Sequence, residues 1–191
     1  MEQSYIVLAA VAVGLVVVAL AIVALTRGRR HKELQSRFGP EYDRTVAEVG
    51  KRGKAEKELE ARARRVDTLS IHPLPAADRE RFQKLWRTAQ SHFVDSPLTA
   101  VTEADQLVAE VMRARGYPVA DFEQRAADLS VDHPVFVDNY RRGHDLAVRA
   151  QQGQAGTEEL RQAMVHYRLL FEELLQAPVG EVERIPEPVA R

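Results

Sequence analysis

Residues 5–25 form an uninterrupted apolar run, YIVLAAVAVGLVVVALAIVAL, that contains no charged side chain. A helix of this length rises about 1.5 Å per residue and matches a hydrocarbon slab roughly 30 Å thick. Thirteen of the residues are Leu, Ile or Val, and together they favour insertion into a bilayer by about 4–6 kcal/mol. The run therefore predicts one N-terminal transmembrane helix, preceded by a short flank at residues 1–4.

Two other interpretations of this run have to be weighed. A buried helix of a soluble domain should show a polar stripe, and the run has none. A cleaved signal peptide should begin with basic residues and end at a small-x-small cleavage site. The flank contains Glu2 and no Lys or Arg, and the candidate site Ala19-Leu20-Ala21 lies inside the apolar run. These features favour an uncleaved anchor.

A basic cluster directly follows the run and predicts its orientation. Because positive residues stay on the cytoplasmic side, we expect the N-terminus outside the cell membrane and the remaining chain in the cytoplasm. We also expect the cluster to contact anionic lipid headgroups, although it could serve as a topology signal alone. The expected headgroup contacts are Arg27, Arg29, Arg30 and Lys32. If lipid recognition extends further along the chain, the next candidates are Arg44, Lys51, Arg52, Lys54 and Lys57.

Charge is distributed unevenly along the chain. Residues 27–65 contain thirteen Lys or Arg against seven Asp or Glu, whereas residues 66–191 contain fourteen against twenty. The basic part therefore adjoins the predicted membrane helix, and the acidic part follows it. The acidic part has no basic patch with interleaved aromatic residues, so we do not expect a nucleic-acid partner. The lack of cysteine agrees with a reducing compartment.

Beyond the apolar run, apolar residues recur at intervals of three and four, which predicts an all-α fold. A basic juxtamembrane helical segment is expected over residues 26–70, with a bend where Gly50 and Gly53 interrupt it. An antiparallel bundle of five to six helices should follow over residues 71–176. Trp86, the only tryptophan, lies on an apolar helix face and is expected at the centre of the core. The tail, residues 177–191, has three prolines and is expected to be disordered.

Prolines and capping residues predict where helices of the bundle begin and end. Ser96-Pro97 fits an N-cap followed by the first helical position. Gly116 should end the helix that starts there. Asp132 with Pro134 predicts the start of a further helix, and Thr157 fits the N-cap of the last one.

The motifs of the common catalytic classes are missing from the sequence. There is no P-loop, no G-x-S-x-G, no H-E-x-x-H and no Cys-based metal site, and no cofactor is expected. A metal-dependent enzyme or sensor remains the alternative function, with His133, His144 and His166 as ligands beside Asp132 or another carboxylate. No two of these histidines are three or four residues apart, so structural roles are the preferred interpretation.

A protein partner is expected to bind where aromatic and charged residues mix around connectors of the second half. The residues of this predicted partner surface are Tyr117, Asp121, Glu123, Arg125, Asp128, Asp132, His133 and Arg141. Homo-oligomerisation through the helical stretch 41–69 is left open. The apolar positions of that stretch are too irregular to predict a coiled coil.

Several stretches resemble a family of uncharacterised bacterial single-pass membrane-anchored helical proteins. They are LQSRFGPEYDRTV (34–46), AEKELEARARR (55–65), RGYPVADFEQRAADLSVDHPVFVDNYR (115–141) and TEELRQAMVHYRLLFEELL (157–175). His72 stands where an arginine would be expected from the resemblance. The resemblance implies an anchor followed by helices, and it implies no activity, ligand or catalytic residue.

The sequence therefore favours a non-enzymatic helical module that is tethered to the lipid bilayer through residues 5–25. Its expected role is to bind a protein partner or to organise the inner membrane surface. A metal-dependent enzyme or sensor is the second hypothesis. A secreted or extracellular domain is the third, and the flanking charges oppose it.

Overall fold

The computed structural model describes residues 28–176, together with residues 14, 18, 22, 25 and 26. Every regular element in this part of the chain is an α-helix, and no strand occurs in it. The predicted all-α class and the helical bundle are thus confirmed. The helices are α1 (Pro40–Val49), α2 (Arg52–Val66), α3 (Ala76–His92), α4 (Pro97–Ala114), α5 (Phe122–Asp132), α6 (Val137–Gln151) and α7 (Thr157–Gln176).

The chain divides into two compact units, Met1–Leu59 and Glu60–Arg191. We call them the N-terminal unit and the C-terminal unit. The sequence predicts a domain boundary between residues 70 and 71. The observed division falls within α2, so residues 60–70 belong to the same unit as α3 to α7.

The N-terminal unit contains a helical segment over residues 28–38, then α1 and the first part of α2. Gly39 (φ +46°) and Gly50 (φ +71°) separate these helices, and both positive angles favour glycine. The single bent helix predicted over residues 41–69 is therefore two helices. The Gly50 N–H donates to the carbonyl of Val46 and ends α1.

A small apolar core holds the N-terminal unit together. Phe38, Ala55 and Leu59 are fully buried, and Tyr42 and Leu34 are nearly so. Ala55 and Leu59 lie four residues apart on one face of α2, as expected for an amphipathic helix.

The larger core belongs to the C-terminal unit. The indole of Trp86 in α3 stacks on the ring of Phe171 in α7, with centroids 4.6 Å apart, and Trp86 is 5% exposed. The predicted core position of Trp86 is therefore correct. Helix α7 packs against α4 and α6, and α3 packs against α4. The apolar face of α7 supplies Leu160, Met164, Tyr167, Phe171 and Leu174 to this core.

Two glycines of the C-terminal unit lie close to neighbouring residues. Gly116 follows α4 with φ +96°, and a Cβ there would lie 2.3 Å from the carbonyl oxygen of Ser70. A Cβ on Gly143 would lie 3.3 Å from the ring of Tyr167. The His72 N–H donates to the Arg115 carbonyl oxygen at 2.9 Å, which fixes the connector between α2 and α3 against the end of α4.

Helix boundaries agree with the sequence in part. α4 begins at Pro97 after Ser96, and α7 begins at Thr157. The predicted helix start at Asp132 is wrong, because α5 continues through Asp132 and α6 begins only at Val137. The Asp121 side chain accepts a hydrogen bond from the Gln124 N–H and caps the start of α5.

Within the part of the chain that the structure describes, no helix has the length and apolar character needed to cross a membrane. Most of the predicted transmembrane helix, the flank at residues 1–4, Arg27 and the tail lie outside the described residues.

Candidate functional site

A chain of hydrogen bonds joins three helical segments of the N-terminal unit. The Tyr42 hydroxyl donates to Glu56 Oε1 at 2.8 Å, so His31 Nδ1, which is 2.8 Å from the same hydroxyl, must act as the donor to it. Arg52 Nε donates to Glu56 Oε1 at 3.1 Å, and His31 Nδ1 also approaches that oxygen at 3.3 Å. Burial would raise the pKa of the Glu56 carboxyl, but the hydrogen bonds from Tyr42 and Arg52 lower it.

The predicted headgroup contacts that the structure describes lie in the segment 28–38. Arg29, Arg30 and Lys32 are all exposed, whereas Arg27 lies outside the described residues. Leu34 and Phe38 are buried on the side of the segment opposite Arg29 and Lys32, whereas Arg30 lies four residues before Leu34 and therefore near the buried side. The segment is thus amphipathic, with Arg29 and Lys32 on its polar side.

Several residues of the predicted partner surface are buried in the C-terminal unit. Tyr117 is 2% exposed, and its hydroxyl donates to Asp132 Oδ2 at 2.7 Å. Burial raises the pKa of the Tyr117 phenol, and the neighbouring Asp132 carboxylate raises it further. Tyr117 therefore positions the exposed Asp132 and offers no contact of its own.

Asp128 is fully buried and forms the polar centre of a contact between α2 and α5. Its Oδ1 accepts from Arg65 Nε at 3.0 Å and from Gln124 Nε2 at 2.8 Å. Sequence reasoning placed Asp128 on a surface, but the structure gives it a role in joining two helices. A buried carboxylate of this kind needs its donors, because losing one leaves an uncompensated charge.

Arg125 joins α5 to α4 and α6. Its Nε donates to the Tyr140 hydroxyl at 2.7 Å, and its Nη2 lies 3.6 Å from Asp105 Oδ2. Burial raises the pKa of Tyr140, and Asp105 adds to the increase while Arg125 opposes it. The hydroxyl of Tyr167 and Oδ1 of Asp105 are buried without a hydrogen-bond partner among the described residues.

Exposed members of the predicted partner surface remain on and beside α5. Asp121, Glu123 and Asp132 are exposed, and Arg141 in α6 is partly buried. Val135, in the connector between α5 and α6, is 64% exposed. The exposed surface on and beside α5 thus carries three carboxylates and one apolar side chain.

The three histidines of the metal hypothesis lie in separate environments. His133 Nδ1 contacts Glu173 Oε1 at 3.0 Å, and His166 Nδ1 contacts Asn139 Oδ1 at 2.9 Å. The His144 ring stacks on Phe122 with centroids 3.7 Å apart. Among the described residues, no group of three His, Cys, Asp or Glu side chains is arranged to hold a metal ion.

Sequence reasoning missed Arg115, whose side chain is 1% exposed. Its Nη1 donates to the Leu174 carbonyl oxygen at 3.0 Å, and its Nε finds no partner among the described residues. Burial lowers the pKa of this guanidinium, against the opposing field of Asp132 and Glu173. A signal existed, because Arg115 follows Val111 and Met112 at helical spacing and so continues the apolar face of α4.

A shallow groove of about 220 Å³ lies between α3 and α4. The His92 imidazole contacts Glu103 Oε2 at 2.9 Å at one part of it. Its lining residues are Leu85, Thr88, Ala89, His92, Glu103, Gln106, Leu107 and Glu110. This volume is below the usual range of small-molecule sites.

No protein family, no curated protein and no solved structure matches this chain. The resemblance to membrane-anchored helical proteins therefore stays a prediction.

Proposed function

We propose that this protein is a non-enzymatic helical module, tethered to the cell membrane through residues 5–25. Its helical domain lies in the cytoplasm and binds a protein partner at the inner membrane surface. The observation that carries the proposal is the uncharged 21-residue run followed at once by a basic cluster.

The described residues within and beside the run support an anchor. Val18, Ile22 and Leu25 are helical, and between 55% and 66% of each side chain is exposed. Spacings of four and three residues place them on one helix face. Apolar side chains that meet no protein core at this spacing suit contact with lipid.

The environments of the histidines support structural roles for these three side chains. His133, His144 and His166 each contact a different neighbour, and the contacts hold helices together instead of converging on one point. The exposed carboxylates on and beside α5 and the exposed Val135 after its C-terminal end are the proposed contact for a protein partner, because interfaces combine apolar and polar side chains.

The anchor is tested by a double substitution in the middle of the run, Leu15→Arg with Val18→Arg. Two arginines near the centre of the bilayer cost about 5–7 kcal/mol together, which is as large as the favourable contribution of the run and therefore offsets it. The wild-type chain should remain in the membrane fraction after alkaline carbonate extraction, and the variant should not. Val179→Arg with Val182→Arg adds the same charges in the tail and should leave the chain in the membrane.

The partner contact is tested by a photo-crosslinking residue at position 135 in cells. A matched probe at Val94, which is 84% exposed, serves as the control. We expect a discrete crosslinked product from position 135 only. Equal products from both positions, or none from position 135, would contradict the proposed surface.

A further inference from the structure

The turn between α1 and α2 is a short basic stretch. Residues 50–54, GKRGK, carry three positive side chains and no negative one. Lys51 and Lys54 are exposed and form no ion pair with the described residues. A Cβ on Gly50 or Gly53 would meet nothing within 4 Å, so the backbone of the turn is open to an incoming group.

Contacts inside the N-terminal unit show where this turn lies along the segment 28–38. His31 is eight residues before Gly39, a distance of about 12 Å along a helix. Tyr42 is three residues after Gly39, yet its hydroxyl is 2.8 Å from His31 Nδ1. Helix α1 must therefore turn back at Gly39 and run along the segment towards its N-terminal end.

The turn then falls beside the first residues of the segment. Helix α1 continues for seven residues beyond Tyr42, which is about 10 Å of helix. Glu56, in the second turn of α2, is again close to His31, at 3.3 Å. Both contacts place the α1–α2 turn past His31, on the side of Arg29 and Arg30.

We propose that the α1–α2 turn binds the anionic phospholipid headgroups of the bilayer that holds residues 5–25. The inference rests on the proposed membrane tether, because the tether brings the first residues of the segment 28–38 to the headgroup region. Lys51, Arg52 and Lys54 then extend the basic surface of Arg29, Arg30 and Lys32 with cations from a second part of the chain.

Nearby carboxylates pair with other side chains and leave Lys51 and Lys54 without an ion pair among the described residues. Glu56 accepts from Tyr42 and from Arg52, and Glu48 accepts from Arg44 Nε at 2.8 Å. The two exposed lysines are therefore the cations of the turn that a ligand meets first. Phosphate diesters on a membrane surface are multivalent and suit several flexible lysines better than one fixed site.

The test uses the full-length chain in lipid nanodiscs and one label in the turn. Since the chain has no cysteine, Gly53→Cys creates a unique position for a fluorophore. The nanodiscs contain phosphatidylcholine alone or mixed with phosphatidylglycerol, and both include a lipid that carries a quencher on its headgroup. Incorporation of the chain into the disc is measured separately, by size-exclusion chromatography.

We expect stronger quenching in the discs that contain phosphatidylglycerol, and a decrease when salt is added. Each lysine near an anionic surface changes the binding equilibrium about fivefold, so Lys51→Glu with Lys54→Glu should lower it by about 25-fold or more. Lys84→Glu with Arg87→Glu makes the same charge change at the same spacing on the exposed face of α3. This control variant should be quenched like the wild type.

Equal quenching in the two kinds of disc would overturn the inference while the tether stands. Quenching that survives Lys51→Glu with Lys54→Glu, or that is lost equally in the α3 control, would overturn it as well. A chain that does not incorporate into either disc would overturn the tether and this inference together.

Discussion

At the scale of single residues, the stability of the C-terminal unit depends on a few positions where the backbone conformation or a buried charge restricts which residue can be present. Arg115 and Gly116 stand together at the end of α4. The charged side chain of Arg115 lies in the core, where one of its guanidinium nitrogens donates a hydrogen bond to the Leu174 carbonyl oxygen. Gly116 lets the chain leave the helix against the backbone of Ser70.

Gly116→Ala should destabilise the C-terminal unit by about 2 kcal/mol or more. The substitution forces a non-glycine residue to a positive φ, and its Cβ would overlap the Ser70 carbonyl oxygen. Urea unfolding followed by the fluorescence of Trp86 measures the change, because the only tryptophan reports on this unit. Gly156→Ala is the control, since nothing lies within 4 Å of its Cβ, and a similar loss there would contradict the explanation.

Acidification should weaken the C-terminal unit through His144. Burial lowers the pKa of this imidazole, and Arg125 acts in the same direction against Asp105 and Glu123. Because the folded state binds the proton less readily than the unfolded state, the stabilisation is complete above pH 6.5. It is lost as the pH falls from there through the lower folded pKa.

The His144→Gln variant should therefore show a flatter dependence of unfolding free energy on pH in this range. Burial also lowers the pKa of His166. Adding His166→Gln should therefore flatten the dependence of unfolding free energy on pH further. An unchanged slope in the double variant would contradict this account.

The sequence predicts which apolar residues are buried on each helix face better than it predicts which charged residues are buried. The spacing of Trp86 and Phe171 predicts that both are buried. Nothing in the spacing of Asp128 predicts that the distant Arg65 will neutralise it. Periodicity predicts which face of its own helix a residue occupies, but not which residue of another helix it contacts. For this reason the predicted surface included side chains that the structure buries.

At the scale of elements, the ion pair between Arg65 of α2 and Asp128 of α5 is the clearest polar contact between helices of the C-terminal unit. Arg65 remains 44% exposed while its partner Asp128 is fully buried. The pair thus combines a solvated donor with a buried acceptor, and Gln124 supplies a second hydrogen bond to the same oxygen.

Arg65→Met should destabilise the C-terminal unit by about 1–3 kcal/mol, because Asp128 would lose a charged donor. Asp128→Asn removes the charge and keeps an acceptor for Gln124. In the double variant, the loss should be smaller than the sum of the two single losses, which a double-mutant cycle with Trp86 fluorescence would measure. Strictly additive losses would show that the two side chains are not coupled.

Helix boundaries show what local sequence signals can predict. Pro97 begins a helix as expected, since its fixed φ suits the first helical position. Thr157 was expected as the N-cap, but it is the first residue of α7, and the Gly156 carbonyl accepts the Leu160 N–H. Asp132 resembles a cap in the sequence, but Tyr117 donates a hydrogen bond to it from a connector that is distant in the chain. Asp132 is instead the last residue of α5, and local sequence rules do not reveal its contact with Tyr117.

At the scale of the whole molecule, a basic N-terminal unit is followed by an acidic C-terminal unit. This change of charge along the chain is predictable from the sequence, because charge is a property of composition, whereas the membrane tether stays a prediction. The sequence predicts the two-helix organisation of residues 40–66 only in part. Gly50 and Gly53 predicted an interruption, but the return of α1 along the segment 28–38 depends on the contact between His31 and Tyr42.

The most direct test of the tether and its orientation is the accessibility of a single cysteine in the tail. Glu187→Cys supplies it in a chain that otherwise has none, and Gln3→Cys supplies the matched position before the apolar run. Intact cells and lysed cells are treated with a membrane-impermeant maleimide. The account predicts that position 187 is labelled only after lysis and that position 3 is labelled in intact cells. Labelling of position 187 in intact cells would reverse the orientation and contradict the cytoplasmic placement of the helical domain.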